Sequence, residues 1–126
     1  MATIDKSQAL DAFWNSFSLP AYDENTVPDG LNMPYITYAV GTDSWGVSIP
    51  ATASLWYRET TWANISQKTE EIAKAIGEYG YYSVPIYGGF MVIRKGEVFA
   101  QRMEDPEDDS VRRMLLSILV EFLVAY

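Results

Sequence analysis

Apolar positions recur at threes and fours from about Asp5 to Phe17, where Leu10, Phe13, Trp14 and Phe17 fall on one helical face. The spacing predicts an amphipathic helix. Asp5 followed by Gln8 has the form of a capping box, and Pro20 ends the pattern because proline disfavours helix in the residue before it. Residues 20–34 carry three prolines, Gly30 and the runs Asp23-Glu24-Asn25 and Pro28-Asp29-Gly30, which predict a long loop with no regular element. Such a loop is usually functional or ordered by a partner. Tyr35 to Val40 reads as a strand, Gly41 to Gly46 as a turn, and Ala51 to Arg58 as a second strand pairing with the first. In that second strand Ala51, Ala53, Leu55 and Tyr57 share one face, while Thr52, Ser54, Trp56 and Arg58 share the other.

The strongest helical pattern follows, with Trp62, Ile65, Thr69, Ile72, Ile76 and Tyr79 on one face, Thr60-Thr61 as its cap, and Glu70 with Lys74 supporting the wet side. Gly77 and Gly80 end it, and Tyr81 to Gly89 reads as a linking loop. Phe90 to Arg94 and Glu97 to Arg102 predict a hairpin turned at Lys95-Gly96. The terminal run from Val111 is long enough for a helix, but Arg112, Met114, Leu116, Ile118, Val120, Phe122 and Val124 alternate with Arg113, Ser117 and Glu121. It is read as a long strand whose even-numbered face lies against the helices. The fold class expected is therefore α+β, a mainly antiparallel sheet packed against two helices, and 126 residues with no repeat suit a single domain over 1–126.

Composition changes the picture mainly by subtraction. With no Cys and no His, disulfides, thiolate zinc sites, cysteine nucleophiles and imidazole chemistry are excluded, leaving carboxylates, Lys, Tyr and Ser as conceivable catalytic groups. The expectation is a protein that is not an enzyme and holds no cofactor. A start without a basic segment and apolar run predicts synthesis in the cytoplasm with no signal peptide, and no uninterrupted apolar stretch suggests a membrane span. Nine basic residues against 17 acidic give −8, which disfavours tight binding to nucleic acid and is compatible with a surface that DNA passes without sticking. Aromatics are plentiful, 9 Tyr, 5 Phe and 4 Trp, and Tyr and Trp bury large areas while keeping a polar tip, which suits contact surfaces.

The candidate chemistry is sparse. Glu104-Asp105-Pro106-Glu107-Asp108-Asp109 is the sole carboxylate cluster; it lacks the spaced pattern of a calcium loop and reads first as a solvated connection between strands. Neither Lys95-Gly96 nor Gly88-Gly89 has the spacing of a phosphate-binding loop. Trp56, on the polar face of its strand beside Arg58, is a candidate for a protein interface. Arg102, Arg112 and Arg113 lie near the acidic run and are expected to form one small basic pocket that pairs with it, within or between subunits. Asp23, Glu24 and Asn25 read equally as a contact arm or a mobile turn. Tyr81, Tyr82 and Tyr87, in the expected linking loop, complete the interface candidates together with Asp105, Glu107, Asp108 and Asp109.

The segment Asp11-Ala-Phe-Trp-Asn-Ser-Phe-Ser-Leu-Pro-Ala-Tyr-Asp-Glu-Asn-Thr-Val-Pro-Asp29, followed by Pro34-Tyr-Ile-Thr-Tyr38, resembles small tail proteins of tailed phages and prophages of Gram-positive bacteria, in the tail terminator (tail completion) group. Ser54-Leu-Trp-Tyr-Arg58, Phe99-Ala-Gln-Arg-Met103, Asp105-Pro106 and Asp108-Asp-Ser-Val-Arg-Arg113 extend the likeness over most of the chain. The resemblance implies an α+β subunit, made in the host cytoplasm and placed in the virion at the neck, six copies of which close into a ring on the tail tube. That ring would stop tube growth, dock the head connector or neck proteins, and let DNA pass without specific binding. The resemblance carries no catalytic residues. A neighbouring neck protein, such as a head completion or head-tail adaptor subunit, is the alternative, with an acidic inhibitor or metal-dependent hydrolase behind it.

Overall fold

The structure is a computed structural model describing residues 4–39, 48–105 and 107–124. The expected turn at Gly41 to Gly46, together with Val40, Pro106 and the last two residues, lies outside the described residues. Helix α1 spans Lys6–Asn15 and starts as the sequence predicts: the Asp5 carboxylate accepts from the Gln8 N–H at 2.8 Å, and the Gln8 side chain accepts from the Asp5 N–H at 2.9 Å. Its apolar stripe, Ala9, Leu10, Phe13 and Trp14, is buried. At its end the Asn15 amide accepts from the Ala21 N–H at 3.1 Å and donates to the Ala21 carbonyl at 3.3 Å, so the side chain fixes where the next segment begins.

That segment contains a strand the sequence did not predict. β1, Ala21–Asp23, pairs in parallel with β2, Tyr35–Ala39, inside the stretch expected to be irregular. Three residues are too few to show a period; the ladder to β2 and the Asn15 clamp give them their order. β3, Ile49–Arg58, pairs antiparallel with β2 as expected, placing Leu55 opposite Ile36 and Ala53 opposite Tyr38.

Helix α2, Ala63–Gly77, buries Ile65, Thr69, Ile72 and Ile76. Its start differs from expectation: Trp62 holds the cap position without a side-chain cap bond, while Glu59 accepts from the Ile65 N–H at 3.0 Å. Thr61 contributes only a 3.3 Å contact to the Ala63 N–H. The ion pair on this helix is Lys68–Glu71, and Tyr79 lies beyond the helix end with 79% of its surface exposed.

The expected linking loop from Tyr81 is instead β4, Tyr82–Ile86, paired antiparallel with β5, Gly89–Glu104. Pro85 does not exclude a strand here, because β4 is an edge strand and one side of it needs no ladder bond. The expected hairpin at Lys95-Gly96 is also absent. β5 runs straight through, and between Lys95 and Ala100 the ladder to β6, Val111–Val124, is interrupted where four residues stand opposite Ser117. Gly96 is needed there for close approach: a Cβ on it would sit 2.9 Å from the Ser117 carbonyl oxygen.

The six strands lie in the order β1-β2-β3-β6-β5-β4, all antiparallel except the first pair. This is the α+β class expected, with both helices on one face. That face carries Met114, Leu116, Ile118, Val120 and Phe122 of β6, each at most 5% exposed, against Leu10, Phe13, Ile65, Ile72 and Ile76 of the helices. The alternation of β6 is thus used as predicted, since successive residues of a strand point to opposite faces.

Candidate interaction surfaces

The connection from β5 to β6 is the acidic run, and its geometry is that of a tied turn. Asp108 accepts from the Ser110 N–H at 2.9 Å and the Ser110 hydroxyl at 2.6 Å, and pairs with Arg58 at 3.2 Å. The Ser110 hydrogen bonds, with Arg58 behind them, hold the Asp108 carboxyl below its ordinary value. Both partners of the ion pair are about half exposed, so the pair sets the turn's shape more than the protein's stability. Asp105 accepts from the Glu107 N–H at 2.9 Å, an Asx turn of the same kind. Among the described residues no group of three or more carboxylates is placed to hold a metal ion.

The single basic pocket expected from Arg102, Arg112 and Arg113 does not form. Neighbouring residues of a strand face opposite ways, so Arg112 goes to the helix side and Arg113 to the open side. The Arg112 guanidinium donates to the carbonyls of Asp109 at 2.6 Å and Thr60 at 2.8 Å, and it lies 5.4 Å from the Trp62 ring, which Arg102 also covers at 4.8 Å. Arg113 donates to the Ser54 hydroxyl at 3.0 Å and covers Trp56 at 4.9 Å. Trp56 in turn stacks on Tyr35 and donates to the Thr37 hydroxyl at 2.9 Å. Arg58, expected to accompany Trp56, is the residue that pairs with the acidic turn.

At the other side of the sheet, Asp23 accepts from the Asn25 N–H at 2.9 Å while the Glu24 N–H donates to the Tyr38 carbonyl at 2.8 Å. The segment is therefore a hydrogen-bonded turn, with the Asp23 carboxylate turned into it and Glu24 and Asn25 exposed. Tyr38 donates to Asp11 at 2.6 Å; burial, then that carboxylate, pushes its phenol well above the usual tyrosine range. Tyr82 is partly buried, with its ring edge-on to Phe13 at 5.0 Å, whereas Tyr81 and Tyr87 are 48% and 60% exposed.

Sequence reasoning missed one surface. Phe90 and Leu123 face each other across β5 and β6 on the open side of the sheet, each half exposed, beside Leu119, Tyr81 and the Arg94–Glu121 pair. The signal was present in the odd-numbered positions of β6, where Leu115, Leu119 and Leu123 stand among the polar residues. A polar groove of about 510 Å³ lies elsewhere, between Tyr57, Glu59 and α2, but its charged groups are engaged: Lys68 donates to the Phe17 carbonyl at 2.8 Å and to Glu71, and Glu59 caps α2. Burial, then Glu59 and Glu71, raises the Tyr57 phenol above its ordinary value. Among the described residues no helix is long and apolar enough to cross a membrane.

No protein-family model matches the chain, and no curated protein matches it. Among solved structures, it is similar to a chain of the "Virion of native gene transfer agent (GTA) particle", with a TM-score of 0.50 and 13% identity over 90% of this chain and 83% of that one. At that identity the likeness is one of fold.

Proposed function

We propose that this protein is a structural subunit of a phage-like virion that closes as a ring on the end of the tail tube, stops its growth and docks the head connector or neck. The observation that carries the reading is the fold likeness, over nine tenths of the chain, to a chain of a gene transfer agent virion. The sequence resemblance to tail terminators points the same way. Its contact surfaces have the character such a role requires. One rigid sheet presents an acidic turn at one edge, an apolar patch on its open face and a tied acidic connection at one end, and rigid elements carrying outward loops are a common platform for recognition. The protein acts by binding rather than turnover, and its net charge of −8 keeps passing DNA from adhering.

Electron microscopy of particles made without the protein tests this. Overlong tubes without heads are the expected outcome. Tubes of normal length that fail to join heads would instead favour a neck adaptor, and normal, head-joined tails would refute both.

A further inference from the structure

Two of the outer edges of the sheet are closed by contacts of their own. In β1 the Ala21 N–H and C=O are both taken by the Asn15 amide, and the Asp23 carbonyl accepts from the Thr26 N–H at 2.9 Å. In β4 Pro85 has no N–H to give, and just past the strand's end the Tyr87 N–H donates to the Ile4 carbonyl at 2.9 Å. The remaining edge is β5 beyond Ile93, where β4 stops. Which of its main-chain groups face outward follows from the ladders, because successive residues of a strand bond to opposite neighbours. The Ile36 N–H donates to the Pro20 carbonyl and the Tyr38 carbonyl accepts from the Glu24 N–H, so Ile36 and Tyr38 face β1 while Tyr35 and Thr37 face β3. Carried through the registers, Ser54 and Trp56 face β2, Leu55 and Tyr57 face β6, Arg113 and Leu115 face β5, and Gln101 and Met103 face β6. Ala100, Arg102 and Glu104 are left with N–H and C=O outward, and among the described residues no other segment bonds to them. Arg102 and Glu104 are exposed, with no ion pair to a described residue, and the run holds neither lysine nor proline, the usual guards of such an edge.

We infer that this edge pairs with the same edge of a second copy of this chain, antiparallel about a two-fold axis at Met103. In that register Arg102 of each copy stands opposite Glu104 of the other, and the outward groups of both residues meet, each opposed pair exchanging two main-chain bonds. The charges choose the register. An axis at Arg102 sets the guanidinium against its own copy, and one at Gln101 sets it against Ala100, whereas the axis at Met103 gives each unpaired cation a carboxylate and each carboxylate a cation. β4 does not obstruct the approach: it covers only Gly89 to Ile93, and those residues of the second copy come to lie past the end of β5 in the first. The contact is isologous and closes at two copies. It therefore goes beyond the ring proposed above, joining free subunits by an edge that the ring's head-to-tail contact does not require. The pairing is short, so the dimer is weak, and salt screens its ion pairs.

The chain has no cysteine, so an introduced thiol reports the axis directly. Across a pair without main-chain bonds the two Met103 Cα atoms lie about 4.5 Å apart, within disulfide reach, whereas the two Gln101 Cα atoms lie about 14 Å apart, beyond it. Oxidation of Met103→Cys in the full chain should give a dimer and nothing larger, at about ten times the yield of Gln101→Cys, although Gln101 is the more exposed position. Sedimentation equilibrium of the unmodified chain at low salt should show a reversible dimer. Arg102→Glu and Glu104→Arg should each weaken it about tenfold by setting like charges opposite one another. The two variants mixed should recover it, since each supplies the charges the other lacks, and that recovery also reports that both are folded. A chain still monomeric at about 1 mM, a yield from Met103→Cys no higher than from Gln101→Cys, or a mixture that associates no better than its components would each overturn the inference.

Discussion

Phe13 is one of the residues by which α1 packs against the edge strand β4. It is 1% exposed, and its ring meets Trp14, Phe17 and Tyr82 edge-on at centroid distances of 4.8, 5.3 and 5.0 Å. Phe13→Ala removes a fully buried ring whose neighbours belong to two elements, so the cavity cannot collapse easily, and the cost is about 3–5 kcal/mol. Unfolding entropy of about 2.1 cal/mol/K per residue makes each kcal/mol worth about 4 °C at this chain length, which puts the fall in Tm at about 12–20 °C. Phe13→Leu keeps most of the apolar volume and loses the edge-on geometry. A double-mutant cycle of Phe13→Leu with Tyr82→Leu should then return a coupling of about 0.5–1.5 kcal/mol. Urea unfolding followed by circular dichroism and by tryptophan fluorescence, with Trp14 beside the mutated ring, gives both numbers. A loss below about 1 kcal/mol for Phe13→Ala, the range of surface substitutions and marginal contacts, would mean that α1 is not part of the cooperative core.

Two further perturbations test the local arguments. Gly96→Val should destabilise by about 1–3 kcal/mol, because its branched side chain would meet the Ser117 backbone, and calorimetry of the variant checks it; an unchanged Tm would refute the close approach. Tyr38, whose phenol is raised by burial and Asp11, stays protonated in the folded chain after it ionises in the unfolded one, so its contribution is complete below the ordinary tyrosine value and is lost as pH rises above about 10. Tyr38→Phe should cost about 1.5–3 kcal/mol at neutral pH through the lost bond to Asp11 and should flatten the alkaline limb of stability against pH; an unaltered limb would count against the assignment.

The two helices and the long last strand were legible before any tertiary contact because each has enough residues to display a period. Leu10, Phe13, Trp14 and Phe17 define one face, Ile65, Ile72 and Ile76 another, and Met114 to Phe122 a third. The capping box at Asp5 needs only residues three apart and was equally readable. β1 and β4 were not, since strands of three and five residues beside prolines take their order from a neighbour supplied by distant sequence. Gly96 has the composition of a turn; only the 14-residue β6, demanding a partner along its length, makes it a point of close approach instead. The arginines show the same division. Their types and spacing were visible, but whether Arg112 and Arg113 form one pocket or two depends on the strand pleat, which sends one to Trp62 and the other to Trp56. Local sequence therefore determined the elements long enough to carry a pattern, whereas pairing across the sheet decided the short edges and which surface charges are free to meet another molecule.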